Sequence, residues 1–177
     1  MERRIIHSIR RDYLVGQLLE KNVNPNPINQ FSLWLNQAIE KGVLEPTAMT
    51  LATVDQSGLP SARMVLLKFV SDKGFIFFTN YESQKGNNIA DNQNVALLFF
   101  WSVLERQIRI VGQAVKLEAD ESDKYFLSRP LESRIATYAS PQSKVIPNRE
   151  YIVDRFLNFK KRFHSGQVNR PENWGGY

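Results

Sequence analysis

The sequence predicts a mainly β domain with flanking helices, in which antiparallel strands form a closed or nearly closed barrel. Between Thr47 and Leu117 the apolar residues follow the two-residue period of strands, whereas helical spacing occurs before and after this region. Short turn sequences, Asp55–Gly58 and Ser71–Gly74, separate the first strands. Few segments between the strands are long enough for helical crossovers, so we expect at least five strands in meander order.

Composition narrows the possible functions. The chain has 177 residues, no cysteine, and 23 Lys and Arg against 18 Asp and Glu, for a net charge of +5. This length suits a single domain with its own core. The lack of cysteine excludes thiol nucleophiles and iron–sulfur clusters, and the two distant histidines, His7 and His164, predict no metal site. Without a long apolar run or a leader pattern, we expect a cytoplasmic protein with no membrane segment.

The positive charge is dispersed along the chain and interleaved with acidic residues. A nucleic-acid-binding arm would concentrate lysine and arginine in one block, so a phosphate-bearing small molecule is the favoured partner. The sequence also lacks a glycine-rich dinucleotide motif, a phosphate loop and a serine elbow. A barrel of this kind would therefore need a bound cofactor to carry out chemistry.

Helices are predicted on both sides of the strand region. The basic segment up to residue 22 has apolar residues at roughly helical spacing and predicts a short amphipathic helix, from which Arg10, Arg11 and Tyr13 could reach a ligand. A solvated basic arm is the simpler alternative. Asn26 and Pro27 are an N-cap and first helical residue, and Gly42 ends that helix.

Three helices are predicted near the C-terminus, at Asp120–Ser128, Pro130–Ala139 and about 148–164, the last with a buried stripe of Ile152, Phe156, Phe159 and Phe163.

The strands are predicted at Thr47–Val54, Ser61–Val70, Phe75–Thr79, Asn94–Val103 and Arg106–Leu117.

Before the fourth strand, Ser83 is placed to cap a short helix with Lys85 in its first turn. The free N–H groups of a helix N-terminus and a nearby lysine can bind an anion, although an ordinary connecting helix is the commoner case. Gln107, near a strand start, can donate and accept hydrogen bonds at the edge of a heterocycle.

The apolar run from Arg63 to Lys68 has a cation at each end. Alternation along a strand puts Arg63, Val65 and Leu67 on one face and Met64, Leu66 and Lys68 on the other, so the two cations serve different places. Taken alone, such a run is more simply a strand whose charged ends discourage edge pairing.

Tyr125, Arg129 and Ser133 are spaced four residues apart, which places them on one helical face if the helix continues through Pro130. A proline disfavours helical backbone at the residue before it, which works against a continuous helix.

Several segments, in this order, resemble the pyridoxamine 5′-phosphate oxidase family. They are Pro46-Thr47-Ala48-Met49 leading into Leu51-Ala52-Thr53-Val54-Asp55, Arg63-Met64-Val65-Leu66-Leu67-Lys68, Phe77-Phe78-Thr79-Asn80, Leu104-Glu105-Arg106-Gln107, Tyr125-Phe126-Leu127-Ser128-Arg129-Pro130 and Trp174-Gly175-Gly176. The match extends over practically the entire chain, and the combination is far more specific than any one segment.

The resemblance implies an FMN-binding split β-barrel that forms a homodimer with FMN at the subunit interface. It also implies oxidation of pyridoxamine 5′-phosphate or pyridoxine 5′-phosphate to pyridoxal 5′-phosphate with O2 as acceptor, in vitamin B6 salvage. One domain is expected over 1–177, with N-terminal helices in 1–45, the barrel core in 46–118 and a helical part in 119–177.

The resemblance also implies site residues, none of them assigned to catalysis or to a metal. FMN-binding positions are Arg63, Met64, Val65, Leu66, Leu67, Lys68, Phe78, Thr79, Gln84, Lys85, Gln107, Gln142 and Ser143. Positions that bind the substrate phosphate are Lys68, Tyr125, Arg129 and Ser133, and Arg10, Arg11 and Tyr13 resemble an N-terminal segment that closes over the substrate.

Three departures from the family pattern matter. Phe78 stands where a tyrosine is frequent, and Gln84 replaces an arginine whose charge-assisted contact would contribute ~1.5–3 kcal/mol. The sequence ends at Tyr177, whereas family members continue through a strand region to an Arg-Leu-His-Asp-Arg type motif. That tail supplies an arginine and a histidine over the substrate, and a tryptophan and an arginine near the flavin. Both a truncated chain and a naturally shortened homologue are open expectations.

Three alternatives follow. A related flavin oxidase could act on another substrate, such as a phenazine precursor. A shortened chain could bind FMN or pyridoxal phosphate without catalysis. Nucleic-acid binding, indicated only by the net charge, is a distant third.

Overall fold

The computed structural model describes residues 10, 12–164 and 167–177. It contains two compact units, Met1–Pro46 with Phe100–Gln107, and Thr47–Phe99 with Ile108–Tyr177. In the described ranges no helix is both long enough and apolar enough to cross a membrane.

Helix α1, Pro27–Glu40, organises the first unit. As predicted, the Asn26 side chain caps it by accepting hydrogen bonds from the backbone N–H groups of Ile28 and Asn29, at 2.8 and 3.2 Å. Gly42, with φ of 66°, follows its end. Phe31 is buried, and its ring centroid lies 6.0 Å from that of Trp101. Ala38 is also buried, so Phe31 and Ala38 lie on the packed face of α1, whereas Ile39 is 54% exposed.

The predicted N-terminal helix is wrong for the residues that can be described before α1. Among residue 10 and residues 12–22, the helical structure is a 3₁₀ turn at Glu20–Asn22. Gly16 has a φ of 80°, and Leu14 and Leu18 are 84% and 69% exposed, so the apolar residues bury no common face. A short helix is marginal without such a face. Arg11 lies outside the described residues, and Arg10 is exposed.

The strands within the described ranges form three sheets. Their bounds are β1 Ala48–Val54, β2 Pro60–Leu66, β3 Phe69–Ser71, β4 Gly74–Ile76, β5 Phe78–Asn80, β6 Asn94–Trp101, β7 Arg106–Gln113 and β8 Trp174–Gly176. The largest sheet has the order β2-β1-β6-β7, while β3 pairs with β4 and β5 pairs with β8. The predicted meander order is wrong, because β1 lies between β2 and β6 and because β5 pairs with the last strand.

Two predicted strands are interrupted where the chain changes partner. The strand predicted at Ser61–Val70 breaks at Leu67 and Lys68: the backbone N–H of Leu67 donates to Thr47, and that of Lys68 donates to Ile76. The strand predicted at Phe75–Thr79 breaks at Phe77, after which β5 pairs with β8. At each break the chain leaves one strand partner, bends and pairs with a strand of another sheet. The apolar pattern of the sequence gives no sign of these bends.

The remaining helices are α2 Gln84–Asp91, α3 Ala119–Ser128, α4 Leu131–Ala139 and α5 Arg149–Arg162. Ser83 caps α2 as predicted, its hydroxyl accepting from the Gly86 N–H at 3.3 Å. On α5 and just beyond it, Phe156, Phe159 and Phe163 are only partly buried, and they pack against the core cluster of Phe126, Ile135, Val168 and Trp174.

Candidate functional site

A cavity of about 550 Å³ lies in the second unit. It gathers residues predicted for both ligands, which are Val65, Leu66, Lys68, Phe78, Thr79 and Gln142 for FMN, and Lys68, Tyr125, Arg129 and Ser133 for the substrate. The structure therefore brings into one cavity positions that are spread over β2, β5 and the helices.

One wall of this cavity is aromatic. The rings of Phe78 and Tyr125 are stacked, with centroids 3.8 Å apart and planes at 22°. The Trp174 ring is nearly parallel to that of Tyr125, at 7°. Burial raises the pKa of the Tyr125 hydroxyl, which stays neutral at physiological pH. An aromatic wall of this kind favours an aromatic ligand.

A guanidinium group lies against this wall. Arg129 sits 4.6 Å from the centroid of Trp174, and its Nη1 donates to Oγ1 of Thr137 at 2.8 Å. Burial lowers the pKa of Arg129, although the group remains charged. Arg129 makes no ion pair with any described residue. A partly buried cation with neutral partners is suited to an anionic group such as a phosphate.

The residues predicted to bind the substrate phosphate meet because the helix is broken. The helix does not continue through Pro130, as the two separate predicted helices imply: α3 ends at Ser128 and Arg129 is extended, with φ of −75° and ψ of 148°. The following Pro130 disfavours helical backbone at Arg129. Tyr125 comes from α3, Arg129 from the break and Ser133 from α4, and all three line the cavity.

Lys85 is a buried cation, 7% exposed, in the first turn of α2. Its ammonium group donates to the hydroxyls of Thr79 and Ser83, both at 3.3 Å, and to Oε1 of Gln142 at 3.2 Å. Burial, and then the positive charge of Arg63, lower the pKa of Lys85. These partners are neutral, so a bound anion would stabilise the charge. Thr79 and Gln142 connect it to the cavity.

Arg63 is hydrogen-bonded within its own sheet. Its guanidinium donates to Thr53 Oγ1 at 2.7 Å and to Ser61 Oγ at 2.6 Å, and also to backbone carbonyls. Asn88 donates to the same two hydroxyls. The predicted alternation holds along β2, because Arg63 is half-buried whereas Met64 is 61% exposed. Leu67, which follows β2, is buried.

The other predicted positions fall elsewhere. Met64, Gln84 and Ser143 are exposed and are not among the described residues that line this cavity. Gln107 and Tyr13 line a cavity of about 430 Å³ in the first unit. Its wall includes Arg106, which lies over the Trp34 ring at 5.0 Å.

Six further described residues line the main cavity without having been predicted as site residues, namely Asn80, Pro130, Ala136, Thr137, Ser140 and Trp174. Thr137 continues the four-residue spacing of Tyr125, Arg129 and Ser133, so its position had a signal in the sequence. Trp174 lies in a segment that carried the family resemblance. Its position at the aromatic wall results from the pairing of β8 with β5, which brings its ring beside that of Phe78.

The strand arrangement and the site define a split-barrel protein with an aromatic, cation-lined cavity. The profile of the family described as pyridoxamine 5′-phosphate oxidase matches residues 35–162. A protein of Teredinibacter turnerae named pyridoxine/pyridoxamine 5′-phosphate oxidase is 50% identical over 172 residues, covering 97% of this chain and 82% of that protein. A protein of Vibrio cholerae with the same name is 49% identical, with the same coverage of both chains. The chain belongs to the pyridoxamine 5′-phosphate oxidase family and is an oxidoreductase.

Solved structures agree with the predicted fold class. PhzG from Burkholderia lata 383, in complex with tetrahydrophenazine-1-carboxylic acid, matches with a TM-score of 0.85 and 30% identity, covering 92% of this chain and 81% of that one. A pyridoxamine 5′-phosphate oxidase-related, FMN-binding protein from Nostoc punctiforme matches with a TM-score of 0.65 at 14% identity, covering 87% and 80% of the two chains, and shares the fold. The prediction of a mainly β split barrel with flanking helices is confirmed.

Proposed function

We propose that this protein catalyses the FMN-dependent oxidation of pyridoxamine 5′-phosphate or pyridoxine 5′-phosphate to pyridoxal 5′-phosphate, with O2 as the acceptor. The names of its relatives support the reaction class. One structural observation carries the substrate assignment: Lys68, Arg129 and Ser133 line the same cavity as the stacked Phe78 and Tyr125. Cations beside an aromatic wall suit a phosphorylated aromatic substrate.

The described residues fit FMN as the cofactor. The buried, unbalanced charge of Lys85 favours an anionic ligand, and Thr79 and Gln142 add polar groups beside it. These three residues would hold the cofactor together with Val65 and Leu66. When bound, FMN supplies a hydride acceptor that dioxygen can reoxidise, chemistry that the side chains themselves do not offer.

The protein's contribution is binding and orientation. Lys68, Arg129 and Ser133 bind the phosphate, which fixes one end of the substrate. Tyr125 and Phe78 hold the aromatic ring and exclude water from its face. Much of the acceleration is then expected from placing two planar systems in a reactive arrangement.

A homodimer and a cytoplasmic location complete the proposal. Both follow from the family resemblance and the sequence, and both remain predictions.

The proposal is tested with the purified chain and added FMN. We expect a flavin absorbance spectrum after removal of free FMN, and hydrogen peroxide formation on addition of pyridoxamine 5′-phosphate in air. A protein that keeps FMN but forms no peroxide with either phosphorylated substrate would instead support the alternative of a non-catalytic binding protein. A chain that retains no flavin would contradict the cofactor assignment.

The similarity to PhzG supports a second candidate, a flavin oxidase that acts on a phenazine precursor. Parallel assays with a phenazine precursor and pyridoxamine 5′-phosphate separate the two. We expect a preference for the phosphorylated substrate, because Lys68 and Arg129 both line the cavity.

A further inference from the structure

We propose that Thr137 is a positioning residue that fixes the Arg129 guanidinium for binding the phosphate of the substrate. The inference rests on the proposed function and adds a residue to it. Thr137 lines the cavity, and its Oγ1 accepts a hydrogen bond from Nη1 of Arg129 at 2.8 Å.

Arg129 lies in the break between α3 and α4. Its backbone is extended, and its N–H donates to the Phe126 carbonyl in the last turn of α3 at 3.2 Å. The rings of Trp174 and Phe126 lie 4.6 and 5.7 Å from its guanidinium carbon, and they restrict its position from the apolar side. The bond to Thr137 adds a directional contact, which sets the rotation of the guanidinium plane.

The Thr137 hydroxyl is itself oriented. It donates to the backbone carbonyl of Ser133, one turn earlier in α4, at 3.0 Å. A hydroxyl has one proton, so with that proton directed at Ser133 its lone pairs remain to accept from Arg129. The branched Cβ of threonine restricts its rotamer further. The acceptor is therefore in place before any ligand binds.

Pre-orientation matters because arginine loses much side-chain freedom when a ligand fixes it. A guanidinium has five N–H donors, and one of them is enough for Thr137. The other donors remain for the phosphate. A partner that orders Arg129 in the free protein lowers the cost of binding and leaves the chemical step unchanged.

The test compares substitutions at Thr137 in the FMN-loaded protein. Thr137→Val keeps the shape and removes the hydroxyl, whereas Thr137→Ser keeps the hydroxyl. For Thr137→Val we expect the KM for pyridoxamine 5′-phosphate, and the Kd for pyridoxal 5′-phosphate measured by calorimetry, to rise by roughly 3- to 10-fold. We expect kcat to stay within about twofold, and Thr137→Ser to bind like the unsubstituted protein.

Ser32→Ala is the matched control. The Ser32 hydroxyl also donates to a backbone carbonyl one turn earlier, that of Ile28 at 2.9 Å, but on α1. Its loss is expected to leave KM and Kd unchanged. Thr137→Val should also have no further effect on Kd in an Arg129→Ala background, because Thr137 acts through Arg129.

Two results would overturn the inference while the proposed function stands: unchanged KM and Kd in Thr137→Val, or an equal effect of Thr137→Val with and without Arg129. If the unsubstituted protein binds neither pyridoxal 5′-phosphate nor its phosphorylated substrates, the proposed function and this inference both fail.

Discussion

Lys85 links the stability of the protein to its affinity for an anion. The ammonium group is buried against three neutral oxygens and is near the charge of Arg63. Its pKa is lowered from an ordinary value of 10.5, so the folded protein binds this proton less tightly than the unfolded chain does. Below the lowered pKa, the buried charge of Lys85 destabilises the folded protein by its full amount. This destabilisation decreases as the pH rises toward 10.5, because the folded protein loses the proton first. A bound anion would offset the destabilisation at neutral pH.

Replacing Lys85 tests this balance. We expect Lys85→Met to weaken FMN binding by roughly 10- to 100-fold, since a charge-assisted contact is lost. The same change should stabilise the FMN-free protein at pH 7 and remove part of its gain in stability toward pH 10.5, because the buried charge is gone. Flavin fluorescence titration and denaturant unfolding at several pH values measure the two effects.

Lys124→Met is the control for this experiment, because Lys124 is exposed and pairs with Asp120 on the surface of α3. It should change neither the FMN affinity nor the gain in stability between pH 7 and pH 10.5. If Lys85→Met lowers the stability of the FMN-free protein at every pH, the buried charge of Lys85 does not destabilise the fold.

Among the secondary-structure elements, the helix starts agree with the local capping signals in the sequence. The caps of Asn26 and Ser83 begin helices where they were expected, because a side-chain acceptor for free N–H groups is a local interaction. Strand breaks at Leu67 and Phe77 could not be predicted in the same way. Both depend on which distant strand offers the next backbone partner, and the apolar pattern is the same on either side of the break.

Helix α2 carries Lys85, and its close approach to the preceding turn depends on Gly86. A Cβ at this position would overlap the backbone carbonyl of Tyr81. Because backbone atoms cannot move away as a side chain can, we expect Gly86→Ala to lower the free energy of unfolding by about 1 to 3 kcal/mol. Denaturant unfolding at pH 7 measures the loss.

The neighbouring Asn87 is exposed on the same helix, so Asn87→Ala should stay within about 0.5 kcal/mol. A Gly86→Ala protein as stable as this control would show that the turn can adjust and that glycine is not required there.

At the scale of the whole molecule, the two edge strands of the largest sheet, β2 and β7, carry exposed apolar residues. Met64 and Leu66 on β2 and Val111 on β7 are 61%, 40% and 74% exposed. Apolar residues on a sheet surface are commonly covered by another chain when they form a contiguous patch. The homodimer stays a prediction from the family resemblance, and a symmetric interface would use the same residues of both chains.

The predicted dimer is tested by light scattering after gel filtration. We expect the mass of two chains for the unsubstituted protein, and a shift toward one chain for Met64→Asp, because a charge would be buried at the interface. Val153→Asp, on α5 and 44% exposed, serves as a control that should remain dimeric. A monomeric unsubstituted protein would contradict the prediction.

The family, the helix caps, the turns and the alternation of Arg63 and Met64 along β2 could all be predicted from the sequence, since each depends on neighbouring residues or on short motifs. The fold was needed to show that β8 pairs with β5 and that Trp174 therefore lies beside Phe78 and Arg129. The fold also shows that Thr137 contacts Arg129 across the break between two helices. Such contacts join residues far apart in the chain or separated by a bend, and they form only when the whole fold buries its apolar surface.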